Sequence, residues 1–152
     1  MNQYITGSII KQLREKKRFT QAELAEKLNV STNMLRSKFY ICPACGNIVY
    51  STGDIAMSCH GIQLLSETAE KADEKHPIQI ERIEDEYYVR IAHQMTKRHY
   101  ISFVAALSCD ELQVVKLYPE GDPEARLKMR GTQKIFYYCN QDGLFAVDVN
   151  KR

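Results

Sequence analysis

At 152 residues, with 21 Lys and Arg against 19 Asp and Glu and a formal net charge of +2, the chain has room for one ordinary domain or for two or three small modules, some needing a metal to hold them together. No apolar run approaches the ~18 residues that span a bilayer, and the N-terminal MNQYITGSIIKQLREKKRF has neither the apolar stretch nor the cleavage site of a secretion signal. A helical membrane protein is therefore excluded and a cytoplasmic location is expected, where an odd number of cysteines, five, reads as ligands plus one spare rather than a disulfide framework.

Residues 1–40 carry eight Lys or Arg against three Glu, whereas the rest of the chain is net acidic, so a basic head (residues 1–38) is set apart. Within it Ile5, Ile9, Ile10 and Leu13 recur at helical spacing, and Thr20 followed by Glu23 forms a capping box before Ala22, Leu24, Ala25 and Leu28. Asn29 ends this second helix. The order helix, TQAELAEKLNVS, new helix resembles the start of the phage-repressor type of helix-turn-helix domain, which implies DNA as a partner. The segment from Ser31 through Met34, Leu35 and Arg36 would then lie in the groove. The head has no residues left for the further helices of that domain, so a solvated basic helical arm is the plainer reading.

A second module covers residues 39–66. C-P-A-C-G at Cys42 to Gly46 is a knuckle, in which a Cys-x-x-Cys turn offers two thiolates to one ion and Gly46 allows the tight turn. Cys59, His60 and Gly61 follow. This order is similar to desulforedoxin and the N-terminal domain of desulfoferrodoxin, which implies a four-ligand metal site, with His60 standing where that family has a fourth cysteine. Cys42, Cys45, Cys59 and His60 make a closed zinc set, although iron remains an alternative. So few apolar residues lie here that the metal is expected to supply most of the folding energy.

From Gln63 to Glu74 the sequence is polar and reads as a linker. The period then becomes two: Ile78 and Ile80; Tyr87, Val89 and Ile91; Ile101, Phe103, Ala105 and Leu107; Ile135 and Tyr137; Phe145, Val147 and Val149. Turn signals at Glu84–Asp85, Cys109–Asp110, Pro119–Pro123, Gly131 and Asp142–Gly143 separate these runs. Short strands without intervening helices predict an immunoglobulin-like antiparallel β-sandwich over residues 74–152, in a chain that is mainly β.

All four histidines, and every cysteine but Cys109, fall into two groups, the knuckle set and His76, His93, His99 and Cys139. The segments E-K-H at Glu74 to His76, H-Q-M-T-K-R-H-Y-I at His93 to Ile101 and Y-C-N-Q-D-G at Tyr138 to Gly143 are similar in order and spacing to the iron site of desulfoferrodoxin and the superoxide reductases. The L-Y-P-E-G-D-P-E-A turn at Leu117 to Ala125 agrees. With the knuckle, the resemblance spans residues 39–150. It implies ferrous or ferric iron held by equatorial imidazoles and an axial thiolate, with one position open to superoxide. His76, His93 and His99 fall on equatorial ligands and Cys139 on the axial one. Lys75 falls on the cation that attracts superoxide, and Glu74 on the carboxylate able to fill the sixth position.

Where the family has its fourth histidine this chain has Asp142, an acceptable iron ligand that would lower the ferrous centre from a single positive charge to neutral and favour the ferric state. Because aspartate reaches about an ångström less than histidine, the turn is expected to shift or a water to bridge. Gln94 replaces a family proline, which loosens a turn. The resemblance thus implies an oxidoreductase of oxidative-stress defence that reduces superoxide to hydrogen peroxide with electrons from a rubredoxin-like protein or a reductase, as a homodimer. Two alternatives stay open: an iron- or redox-sensing DNA-binding regulator, and a degenerate structural zinc protein.

Overall fold

The computed structural model describes Gln12, residues 14–20, Glu23 and residues 37–149. In the head, Arg14 to Lys16 are helical, and the capping box forms in both directions: Glu23 N–H donates to Thr20 Oγ1 at 3.1 Å and Thr20 N–H to Glu23 Oε2 at 2.7 Å. The rest of the expected helix-turn-helix, including the segment from Ser31 to Arg36, lies outside the described residues.

The knuckle is two antiparallel hairpins. β1 (Lys38–Ile41) pairs with β2 (Ile48–Ser51), and β3 (Met57–Cys59) with β4 (Ile62–Leu64). The next strand, β5 (Glu70–Lys71), is followed by β6 (Ile78–Ile83), β7 (Glu86–Ile91), β8 (Ile101–Leu107), β9 (Leu112–Lys116), β10 (Glu124–Lys128), β11 (Lys134–Cys139) and β12 (Gly143–Asp148). They form a three-stranded sheet, β10-β7-β6, and a five-stranded sheet, β5-β12-β11-β8-β9. The mainly β sandwich is as expected, with two differences. The segment read as a linker contains β4 and β5, and β5 adds to β12 in parallel. β9 and β10 carry no long alternating run, because β9 is a half-exposed edge and β10 places only Ala125 and Leu127 inward.

The two sheets enclose Tyr87, Val89, Ile91, Ala125 and Leu127 from one side and Val104, Ala106, Ile135, Tyr137 and Phe145 from the other. The alternation over β8 does not serve one core. Phe103, Ala105 and Leu107 face the opposite way, where they pack with Phe136, Leu144 and the knuckle residues Phe39 and Ile41. The Phe39 ring lies 5.6 Å from that of Phe103 and 5.2 Å from that of Phe136. Each buried ring removes apolar surface worth about 2–3 kcal/mol, so the knuckle's first strand is docked on the sandwich by its own side chains and not held by a metal alone.

Ile101, by contrast, belongs to the inner core, because the register shifts at the end of the β8–β11 ladder: Tyr138 opposes Phe103 but Cys139 opposes Ile101. Ser102 is the extra residue. Such a bulge reverses which face the following side chains occupy. It puts Cys139 and Ile101 together on the inner face at the rim where the ligand-bearing loops converge.

Among the described residues no helix is long and apolar enough to cross a membrane.

Candidate metal centres

Three separate stretches bring the second ligand group together at one end of the sandwich. His76 precedes β6, His93 and His99 sit on the loop between β7 and β8, Cys139 ends β11, and Asp142 lies in the turn before β12. Gly143 closes that turn at φ +99°, a conformation open to glycine and strained for other residues. The two loops are stitched together. Tyr100 N–H donates to Asn140 Oδ1 at 2.9 Å, Asn140 N–H to Tyr100 O at 3.1 Å, and the side-chain amides of Asn140 and Gln141 both donate to Arg98 O at 2.9 Å. Thr96 holds the bend by accepting the His99 N–H at 3.0 Å.

One donor atom from each of His76, His93, His99, Cys139 and Asp142 lies within 4.8 Å of every other. Asp142 Oδ2 is 3.2 Å from His76 Nε2 and 2.8 Å from His99 Nε2, and His99 Nε2 is 3.2 Å from His93 Nε2. Two donors each ~2.1 Å from an ion and at right angles to each other stand about 3.0 Å apart. The three successive separations along His76, Asp142, His99 and His93 therefore match those of neighbouring donors around one ion. Cys139 Sγ, fully buried, lies 3.1 Å from His99 Nε2, 3.2 Å from Asp142 Oδ2 and 3.7 Å from His93 Nε2, which suits a thiolate joining that set from the core side.

Of the two outcomes expected for Asp142, a shifted turn or a bridging water, its placement agrees with the first: Oδ2 lies directly among the other donor atoms.

The electrostatics are those of a site awaiting a cation. Burial pushes the Cys139 thiol up, and the Asp142 carboxylate adds to this against the opposing pull of the Gln141 and Asp142 N–H groups. His93 is held below the ordinary histidine value by burial first and then by His99 and His76. Asp142 is held down by the Cys139 thiol first and, against some burial, by His99 and His76. A divalent ion would relieve the crowding of thiolate and imidazoles at once.

Three residues to which the sequence reading gave no part in the metal site shape this end of the molecule. Asp73 contacts His76 Nδ1 at 2.8 Å. Tyr137, buried, donates its hydroxyl to the His76 carbonyl at 2.7 Å. Gln94, expected only to loosen a turn, places its amide 3.1 Å from His99 Nδ1. The D-x-x-H spacing before His76 was the one signal in the sequence, as an aspartate capping a turn. Glu74 and Lys75 form the exposed turn immediately before His76. Cys109 stands apart from both groups, with the Gln133 amide donating to its sulfur at 3.1 Å.

The knuckle group is also assembled. Donor atoms of Cys42, Cys45, Cys59 and His60 all lie within 4.8 Å of one another. Cys45 and Cys59 sulfurs are 3.7 Å apart, and His60 Nδ1 is 3.2 Å from Cys59 Sγ and 3.9 Å from Cys42 Sγ. Two sulfurs ~2.3 Å from a tetrahedral ion are separated by about 3.8 Å, so the spacing suits that geometry. Gly46 N–H closes the turn on Cys42 O at 2.8 Å, and the chain reverses through left-handed His60 and Gly61 at φ +52° and +73°. Burial raises the Cys42 thiol, but N–H groups of Cys45 and Ala44 together with His60 outweigh it and bring it to about 6. Cys59 is pushed up to about 11, first by its sulfur contacts with Cys42 and Cys45 and then by burial.

This β-sandwich with a cysteine knuckle and a histidine, cysteine and carboxylate cluster at one end defines a class of two-site metal-binding proteins. No family model matches the chain. Its fold is similar to that of the superoxide reductase from Treponema pallidum, with a TM-score of 0.64 at 21% identity over 74% of this chain and 98% of that one. In sequence it is 33% identical over 117 residues to the desulfoferrodoxin of Desulfarculus baarsii, covering 71% of this chain and 93% of that protein. It is 30% identical over 115 residues to a desulfoferrodoxin homolog of Archaeoglobus fulgidus, covering 70% and 92%. The chain belongs to the desulfoferrodoxin family.

Proposed function

We propose that the protein reduces superoxide to hydrogen peroxide at a single iron, which His76, His93, His99, Asp142 and Cys139 would hold. The observation that carries this reading is the continuous run of near-3 Å separations through Asp142 with the buried Cys139 sulfur beneath it. The donor set, mostly imidazole with one thiolate and one carboxylate, suits iron, and five donors leave one octahedral position unfilled. When bound, the iron would supply one electron and a Lewis-acidic place for the anion. In balance, superoxide takes that electron and two protons and leaves as hydrogen peroxide.

The chain's own residues do the rest. Cys139, excluded from water, keeps its sulfur as an electron-rich ligand. Lys75, exposed beside the site, attracts the anion and offers a proton, and Glu74 is the carboxylate available to the open position. The knuckle holds zinc through Cys42, Cys45, Cys59 and His60; three sulfurs and one imidazole form a closed structural set with no position left for substrate. Electrons come from a rubredoxin-like protein or a reductase, and the protein works in the cytoplasm as a homodimer.

Metal analysis combined with visible spectroscopy tests this. One zinc and one iron per chain, a thiolate-to-ferric absorption on oxidation, and superoxide consumption without oxygen release are expected. Zinc alone, with no superoxide consumption after anaerobic loading with ferrous iron, would refute the reading in favour of a structural zinc protein.

The basic head and its formed Thr20–Glu23 cap support a second reading, in which residues 1–38 bind DNA and the iron site governs that binding. A complex at one sequence that survives excess bulk DNA, and is lost on iron removal, would distinguish it from simple charge attraction.

A further inference from the structure

The turn that delivers His76 is organised around a single carboxylate oxygen. Asp73 Oδ1 accepts the backbone N–H of Lys75 at 3.0 Å and that of His76 at 2.8 Å, and it lies 2.8 Å from His76 Nδ1. A carboxylate in this role only accepts, so Nδ1 carries a hydrogen and Nε2 is the nitrogen left to face a cation. That Nε2 points into the donor cluster, 3.2 Å from Asp142 Oδ2. The ring has nowhere else to go: it is 2% exposed, its plane stacks on Phe145 with centroids 4.4 Å apart, and its carbonyl is held by the buried Tyr137 hydroxyl.

The other two imidazoles are treated differently. His93 Nδ1 meets no carboxylate among the described residues, and His99 Nδ1 meets a neutral amide, that of Gln94. Among the described residues, His76 is the one imidazole of the three whose Nδ1 meets a charged group.

We infer that Asp73 is a positioning residue for the sandwich metal: its carboxylate locks His76 as an Nε2 donor and, by placing a negative charge one imidazole away from the ion, strengthens that donor and favours the metal's higher oxidation state. The inference rests on the reading of His76 as a ligand. Its consequence reaches the neighbouring residue as well. Because the same oxygen holds the Lys75 N–H, the carboxylate that tunes the metal also fixes the turn that presents the cation to an incoming anion.

The test compares Asp73→Asn and Asp73→Ala with His76→Ala in the full chain, with the knuckle first filled with zinc and the sandwich site then titrated anaerobically with ferrous iron. Asn keeps an acceptor for all three N–H groups and removes only the charge. Asp73→Asn is expected to melt like the wild type when metal-free, to bind ferrous iron about tenfold more weakly, and to have a more positive midpoint potential; Asp73→Ala should weaken binding about 100-fold. Nitrogen-15 spectra of the metal-free protein should show His76 protonated at Nδ1 in the wild type and the Nδ1 hydrogen lost in Asp73→Ala, where the Asp142 carboxylate favours the hydrogen at Nε2. If His76→Ala abolishes iron binding at this site while Asp73→Asn retains wild-type affinity and potential, Asp73 merely caps a turn and the proposal is overturned. If His76→Ala also keeps its iron, the ligand assignment itself is wrong and the proposal goes with it.

Discussion

Asp142→Asn isolates the charge of the proposed carboxylate donor, because the amide has the same shape and retains an oxygen able to face the ion. A carboxylate bound through one oxygen places its charge about 3 Å from the metal, which at an effective dielectric constant of ~20 is worth roughly 5 kcal/mol for each unit of metal charge. The Asp142 side chain is 41% exposed, so solvent screening takes away about half, leaving roughly 2–3 kcal/mol. That is the extra stabilisation the ferric ion receives over the ferrous one. For a one-electron couple it corresponds to a midpoint potential about 100 mV more positive in the variant. The assay is a dye-mediated redox titration followed in the visible absorption of the ferric protein, with iron content measured in parallel. A variant that keeps its iron and titrates within about 30 mV of the wild type would refute the argument, since no ligating carboxylate could lose its charge so quietly.

Lys75→Ala should slow the second-order reaction with superoxide severalfold at low salt and flatten its ionic-strength dependence, as pulse radiolysis would measure. Tyr137→Phe leaves the His76 carbonyl buried without its 2.7 Å donor and should cost about 1–3 kcal/mol in urea unfolding of the metal-free protein, with weaker iron binding as a second effect. Acid should destabilise the metal-free protein. His93 is depressed below its ordinary 6.5, so the fold favours the neutral ring; its contribution is complete above that value and is lost as pH falls through the lower folded one. Asp142 and Asp73 are likewise depressed below 3.8, so their contribution is present above that value and disappears only at still lower pH. Thermal melts should therefore show a decline beginning below about pH 6.5 and steepening below about pH 4, and a flat profile from pH 7 to 3 would contradict these shifts.

The sandwich strands with long apolar alternation, β6, β7, β8, β11 and β12, were legible in the chain because a strand's period of two appears in sequence wherever one face is buried. β9 and β10 were not, since an edge strand and one with two inward residues carry too little of that signal. The same limit hid β5, whose two residues are exposed and whose pairing with β12 is carried by backbone hydrogen bonds alone. The expectation that β8 would face one core failed for a different reason. A strand packed on both faces has no polar side, and the bulge at Ser102 shifts which residues point inward.

By itself the sequence determined which histidines and cysteines group together and that Thr20 and Glu23 cap each other, since side-chain type and spacing are written directly in the chain, whereas Asp142 entered only through the resemblance at its motif. Tertiary structure alone decided that the Asp142 carboxylate reaches the cluster, that Asp73 backs His76, that Gln94 meets His99, and that Phe39 seats the knuckle on the far face of the larger sheet. These depend on sub-ångström placement of turns drawn together from distant segments, and on which face a bulged strand presents. Packing of the whole chain sets both, and no local pattern encodes them.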